Sequence, residues 1–381
     1  MKPRIGIIGA GIAGLTSAIM LEKLGYDVRI FESSENIRGI GAGIGLASNA
    51  IKAFEYLGLE KEIVSISNRI DDFDICDPKG NLLVSADTTK ISKVYDQSNY
   101  AVHRADLHAL LLQKVNLDRI QTSKMLVDLK VRKKVHLKFN DHSESEFDFI
   151  VGADGVNSMV RQILLPDSKP RYAGYWCWRA VVEVDNWKFS SKNTETWGKN
   201  GRFGISPLTK NRIYWYACVN SDLKDGIDKS GLFELKSRFK NYHSPIPELL
   251  ELTKEEDLIS TPIVDIRPIK RFHFEKILLI GDAAHATTPN LGQGACMAIE
   301  DVAVLNDLLQ KNEMEIAFEK FEKRRMKRTH YISRTSKNAG DVSQSSNASF
   351  IYFRNNLLKI LPDSVSQIQL KKLFHTDFMK L

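Results

Sequence analysis

The chain has 381 residues, too many for one compact core and enough for two or three lobes. With 43% hydrophobic and 27% charged residues it folds in water, and no stretch approaches the run of about eighteen apolar residues that a membrane span needs. A formal net charge of +7 admits nucleic acid or an anionic membrane, but it serves anionic cofactors and substrates equally well.

Residues 4–9 read as a short, all-apolar strand of the kind used by parallel sheets covered on both faces. Met1-Lys2-Pro3-Arg4 ahead of it could suggest a secretory leader, but the apolar run breaks at Gly9 into a glycine pattern, so a buried first strand is expected. A helix follows over about 12–24, with Leu15, Ala18 and Ile19 on one face and Gly25 as its stop. A second strand, 27–31, ends at Glu32. Short strands around a Pro78-Lys79-Gly80-Asn81 turn fill 71–94, and a helix carrying Leu107, Leu110 and Leu111 covers 104–114. Residues 147–152 form another buried strand.

Beyond Pro166 the pattern changes. Runs 172–184 and 211–219 alternate and are rich in Trp, Tyr and Val, as antiparallel strands are. Period two places Tyr214 and Tyr216 on one face and Trp215 on the other. A last buried strand covers 276–280, a long helix 294–309, and the remainder from about 315 to 381 is helical. Within it, Lys320, Lys323, Arg324, Arg325, Lys327 and Arg328 are interleaved with Glu319 and Glu322, which reads as a solvated helix face rather than a membrane or nucleic-acid contact. Cys76, Cys177, Cys218 and Cys296 make no C-x-x-C pair and indicate neither a metal centre nor a disulfide framework, which suits a reducing cytoplasm.

Gly9-Ala10-Gly11-Ile12-Ala13-Gly14 fits G-x-G-x-x-G between a strand and a helix. The first glycine permits the turn, the second lets backbone approach a diphosphate, and the third lets helix pack on strand. The helix start then offers unpaired N–H groups and the positive end of its dipole. Glu32 stands where a carboxylate accepts from ribose hydroxyls and repels a 2′-phosphate, which disfavours NADP at this site. The fingerprint alone does not separate FAD from NAD.

A second glycine cluster follows a buried strand: Gly281-Asp282-Ala283-Ala284-His285, then Pro289-Asn290-Leu291-Gly292-Gln293-Gly294 at the start of the long helix. Backbone N–H groups there would stabilise the negative pyrimidine side of a reduced flavin. His285 reads as a packed, hydrogen-bonded side chain.

On these residues, with Val151-Gly152-Ala153-Asp154-Gly155, Gly41-Ala42-Gly43-Ile44 and Val102-His103-Arg104-Ala105-Asp106-Leu107, the chain resembles the single-component FAD-dependent aromatic-ring hydroxylases over nearly its whole length. The resemblance implies an α/β architecture with an α+β substrate lobe. A Rossmann-like FAD-binding domain (1–70, 95–165 and 265–315) would interleave with an antiparallel-sheet substrate domain (71–94 and 166–264), followed by a C-terminal helical segment (316–381). Residue by residue, it places Gly9, Gly11, Ala13 and Gly14 along the FAD diphosphate and Glu32 with Ser33 at the adenosine ribose. Arg104 would contact FAD, flanked by backbone near Gly45 and Leu126. Asp154 would serve both FAD and the nicotinamide cofactor, and Asp282 would bind the ribityl or diphosphate part. Pro289, Gly292, Gln293, Gly294, Ala295 and Cys296 would line the isoalloxazine ring.

The implied reaction takes electrons from transiently docked NADH or NADPH and hydroxylates a small aromatic substrate with O2 through a C4a-hydroperoxyflavin. The chemistry is the cofactor's, so no triad or metal cluster is needed. The substrate lobe is most similar to the branch containing urate hydroxylase, in which Arg and Tyr at the positions of Arg202 and Tyr214 hold the substrate. That branch carries Asp where this chain has Asn290, and other features resemble zeaxanthin epoxidases and salicylate-type hydroxylases. Arg202 is equally an edge-strand arginine, Tyr214 a core residue, and Cys177 and Cys218 buried small hydrophobes on the plainer reading. Competing functions are a tetracycline-inactivating monooxygenase, a ligand-binding flavoprotein with little coupled oxygenation, and a reductase of the geranylgeranyl type. No nucleic acid or stable membrane insertion is expected, and the chain is expected to be a monomer or homodimer.

Overall fold

The N-terminal apolar run forms the strand Arg4–Ile8, buried at every position after Arg4. The computed structural model describes residues 2–37, 39, 41–185, 192–222 and 231–375; the end of the expected helical tail, 376–381, lies outside them. Arg4–Ile8 is the centre of a six-stranded sheet ordered His273–Phe274, Ile277–Leu279, Phe149–Gly152, Arg4–Ile8, Asp27–Phe31, Ile120–Gln121. All neighbours are parallel except the terminal His273–Phe274. Helices Ile12–Lys23 and Gly294–Leu309 pack together beside this sheet, and a three-stranded antiparallel sheet brings Phe139 and Phe147 onto Phe31, the first stacked at 4.6 Å. Covering of this kind is what a continuous apolar strand requires.

The second large sheet has seven strands, in the order Ile259–Asp265, Arg171–Glu183, Arg212–Asn220, Gly201–Pro207, Asn193–Gly198, Asp72–Cys76, Leu82–Asp87. One face holds Trp178, Phe203 and Trp215 and is covered by helices Leu232–Phe239 and Ile246–Leu252. Alternation leaves Tyr175, Cys177, Arg179, Arg202, Tyr214, Tyr216 and Cys218 on the opposite face. Arg202 sits on an interior strand, so the edge-strand reading is wrong. Residues 71–94 also contain more than strands. The helix Thr89–Tyr95 begins where Asp87 Oδ1 accepts from the Thr89 amide at 2.9 Å, a local signal too short to show as periodicity.

The basic cluster near residue 320 corrects a second expectation. On the 30-residue helix Met314–Ser343, Lys320, Lys323 and Lys327 are exposed, but Arg325 is 0% and Arg328 5% exposed. Spacings of four and seven from the buried Phe321 carry both guanidiniums to the inner face. There they meet Glu300 and Asp301 on the helix Gly294–Leu309: Arg325 Nη1 to Glu300 at 2.6 Å, Arg325 Nε to Asp301 at 2.7 Å and Arg328 Nε to Glu300 at 2.7 Å. Arg328 also donates to the Lys372 and Leu373 carbonyls, and the Ser48 hydroxyl donates to the Phe374 carbonyl, tying the end of the described chain to the first lobe. Among the described residues no helix is long and apolar enough to cross a membrane.

Candidate cofactor and substrate site

At the first glycine cluster each glycine answers a different steric demand. Gly9 has φ +102°, and a Cβ there would meet the Ala153 carbonyl oxygen at 2.6 Å. At Gly14 a Cβ would lie 1.9 Å from the Gly9 carbonyl oxygen. At Gly11 nothing of the chain lies within 4 Å, so open space stands before the helix Ile12–Lys23, whose first turn has no side-chain cap. Such a helix start is a cradle of N–H groups for an anion.

Glu32 braces this loop. Its carboxylate accepts from the Ala10 amide at 2.8 Å, the Ser34 amide at 2.9 Å and the Ser33 hydroxyl at 3.2 Å. Burial would raise the carboxyl, yet these bonds hold it below its ordinary value. Lys124 donates its amide to the Glu32 carbonyl at 2.8 Å, which brings the buried Leu126 to the same end. His108, which sequence reasoning missed, bonds the Ala10 carbonyl through Nε2 at 2.8 Å. Its position inside an ordinary helix gives no signal for that.

The two acidic motifs meet through Arg161, also missed. It is fully buried and donates to the Ala283 carbonyl at 3.1 Å and the Asp282 carbonyl at 3.4 Å. Burial raises the Asp282 carboxyl, opposed by His285, Arg104 and Arg161. Burial also raises Asp154, which accepts from the Val160 amide at 3.1 Å through Oδ2 while its Oδ1 has no partner. His285 bonds Asp301 at 2.6 Å, the packed role expected of it. Ala13 packs against Gly281, so the two glycine clusters touch.

In the loop leading to the helix Gly294–Leu309, Gly292 has φ +63° and open space beside it. Gly294 and Ala295 are half-buried at the helix start, behind the short Pro289–Leu291 turn. Cys296 is buried, its thiol 3.6 Å from the Gly45 carbonyl and pushed up to about 12 by burial. Gln293 accepts from Asn49 at 2.9 Å, but its Nε2 and the nearby Thr287 hydroxyl are buried without partners. Orphaned groups at Asp154, Thr287 and Gln293, with open glycines at 11, 45, 155 and 292, fit one extended polar prosthetic group.

Facing this loop, the structure brings Arg202 and Asn290 together. Arg202 Nη2 donates to Asn290 Oδ1 at 2.7 Å, Nη1 to Glu195 at 3.0 Å and Nε to Gln344 at 2.5 Å. The Tyr175 hydroxyl donates to the same Asn290 oxygen at 3.1 Å, and the Asn290 amide donates to Thr288 and to the Ser336 carbonyl, both at 2.9 Å. A carboxylate at 290 could not make those last two donations. Arg202 and Asn290 thus form a closed brace between the sheet and the loop. Tyr214 joins a different group. Its ring lies against Gly43, where a Cβ would be 2.2 Å from Cδ1, and the charge of Arg179 acts on its hydroxyl. Arg179 donates to the Thr261 hydroxyl at 2.8 Å, and no carboxylate among the described residues pairs with it. Sequence reasoning passed over Arg179, although it continues the alternation through Tyr175 and Cys177.

A parallel βαβ sheet with two touching glycine clusters, faced by an antiparallel sheet, defines a flavoprotein oxidoreductase fold. The family model described as FAD binding domain matches residues 2–321, and the chain belongs to that family of FAD-dependent monooxygenases. It is 33% identical to aurachin C monooxygenase/isomerase of Stigmatella aurantiaca, over 93% of this chain and 93% of that one. It is 29% identical to 6-hydroxynicotinate 3-monooxygenase of Bordetella bronchiseptica, over 88% and 91%. The fold matches that of Klebsiella pneumoniae HpxO complexed with FAD and uric acid, with TM-score 0.90 over 97% of this chain and 96% of that one at 24% identity. The protein is an FAD-binding oxidoreductase of the monooxygenase class.

If Asp282 holds the cofactor, Asp282→Ala is expected to lower the flavin-to-protein ratio of purified material. Wild-type flavin occupancy would remove Asp282 from the site.

Proposed function

We propose that the protein uses NADH or NADPH and O2 to hydroxylate a small aromatic or heteroaromatic ring that carries an acidic oxygen, seated over Arg179 and Tyr214. The observation behind this reading is Arg179, a half-buried guanidinium with no carboxylate partner among the described residues, on the face that meets the flavin loop. FAD, when bound, supplies reduction of O2 and transfer of one oxygen atom. Gly9, Gly11, Gly14 and Glu32 would hold its diphosphate and ribose, and Asp154 and Asp282 its middle. Pro289 and residues 292–296 would lie along its ring.

Arg179 would hold the ring oxygen as an anion, which makes the adjacent carbon electron-rich. Burial pushes the Tyr214 phenol up, so it stays protonated and donates to the same oxygen. Arg202 and Asn290 act as positioning residues: their bonds are spent on each other, on Glu195 and on the long C-terminal helix.

The test is a screen of phenols, purines, quinolones and tetracyclines, scored by stimulated NAD(P)H oxidation together with a product heavier by one oxygen. A tetracycline product would favour the drug-inactivating reading. Oxidation of NAD(P)H with no oxygenated product from any class would favour a ligand-binding flavoprotein. With a substrate in hand, Arg179→Gln should lower kcat/KM by roughly tenfold to hundredfold, the worth of about 1.5–3 kcal/mol for a charged hydrogen bond, while FAD stays bound. Unchanged kinetics would discard Arg179 as the anion holder.

A further inference from the structure

Cys177 and Cys218 stand directly opposite each other on the antiparallel strands Arg171–Glu183 and Arg212–Asn220. Residues so paired share a face, and here it is the face that carries Tyr175, Arg179 and Arg202 toward the flavin loop. The two side chains are 2% and 1% exposed. The function proposed above gives them no task.

We propose that Cys177 and Cys218 form an oxidisable dithiol in the floor of the substrate cleft, closed to a disulfide by hydrogen peroxide. The source of the peroxide rests on the monooxygenase reading, because O2 reduced without oxygen transfer to a substrate leaves as hydrogen peroxide inside this cleft. The thiol pair itself does not depend on that reading.

The two sulfurs have different roles. Burial would raise the Cys177 thiol, but the facing Cys218 thiol and the guanidiniums of Arg179 and Arg202 bring it below its ordinary value. The same pairing, with burial, drives Cys218 well above. Cys177 is therefore the nucleophile. Its thiolate attacks one peroxide oxygen, the O–O bond breaks, hydroxide leaves and takes up the thiol's proton, and Cys177 becomes a sulfenic acid. The Cys218 sulfur then attacks Cys177, the S–O bond breaks and water departs with the second proton. In sum, two thiols and one peroxide give one disulfide and two waters. Facing residues have Cβ atoms about 4.5–5.5 Å apart and a disulfide needs about 3.8 Å, so closure asks for a shift on the order of 1 Å. Cys218 is also in register with Arg202, so the shift loosens the brace to Asn290. Peroxide made without substrate thus acts on the substrate site itself.

The experiment uses FAD-loaded protein, reduced with dithiothreitol and desalted. One arm receives hydrogen peroxide; the other receives NAD(P)H and O2 without substrate, with catalase in solution to remove peroxide that escapes. Thiols are then titrated in denaturant and peptides analysed by mass. The chain has four cysteines, and the expected result is a fall from four thiols to two with a linked Cys177–Cys218 peptide in both arms. In Cys218→Ser, peroxide with dimedone should label Cys177, and in Cys177→Ser it should leave Cys218 unlabelled. Four surviving thiols in FAD-loaded protein, or linkage through Cys76 or Cys296, overturns the dithiol. Linkage in the peroxide arm alone keeps the site and overturns the internal source. Protein that takes up no FAD yet links with peroxide tells against the monooxygenase reading and leaves the dithiol standing.

Discussion

Gly14→Ala is expected to yield protein with less than about a tenth of the wild-type flavin and a lowered melting temperature. The added methyl would sit 1.9 Å from the Gly9 carbonyl oxygen. That carbonyl cannot retreat, because Gly9 is held through its amide to the Phe31 carbonyl at 2.8 Å and by Ala153 against its own α-carbon. The helix must therefore move off the strand, and its N-terminal amides move with it. Gly11→Ala is the control that separates two causes. Nothing of the chain lies within 4 Å of a Cβ at Gly11, so this variant should lose flavin through collision with the cofactor while the cofactor-free protein melts as wild type does. Absorbance of the bound flavin and calorimetry of the stripped proteins check both halves. Full flavin in Gly11→Ala would mean that the diphosphate does not pass over this turn.

Glu300→Gln should cost about 3–5 kcal/mol of stability, the usual effect of removing one member of a buried charge cluster. Burial would raise this carboxyl, but Arg328 and Arg325 bring it down to about 2 from an ordinary 4.5. The sign follows. A carboxyl depressed in the folded state contributes stability that is fully present above about pH 4.5 and is lost as the pH falls through about 2. The difference in stability between wild type and variant should accordingly be flat near neutrality and shrink below pH 4.5. Denaturant midpoints at several pH values measure it, and a difference that stays constant down to acid pH would show that the charge is not what matters. The variant also tests reach. Asn49 bonds both Glu300 and Gln293, so the flavin loop should loosen with the cluster and FAD should bind more weakly.

Much of this architecture was legible in the sequence because its signals are local. A strand, three spaced glycines and an acid 18 residues after the last of them carry their meaning within about thirty residues. The helix Gly294–Leu309 was expected with the same bounds, since a glycine start and an apolar period sit in one window. What failed was long-range pairing. Arg325 and Arg328 lie in a run of lysines and glutamates, and only the approach of Glu300 and Asp301 from the neighbouring helix makes their burial tolerable. Arg202 could be singled out, but its bond to Asn290 spans 88 positions and its bond to Gln344 spans 142, and no window shows that both ends of the brace are engaged. Arg179 was missed for the converse reason: its meaning lies in the lack of a paired carboxylate among the described residues.

The strand Arg4–Ile8 is synthesised well before one of its partners, Phe149–Gly152, which lies more than a hundred residues downstream and is itself completed by Ile277–Leu279. During synthesis the nascent chain therefore carries an unpaired, largely apolar strand edge until Leu279 has emerged. Such edges invite pairing with other chains, and non-local sheets close slowly. Production of this protein should consequently depend on chaperone capacity and slow translation more than on the stability of the finished fold.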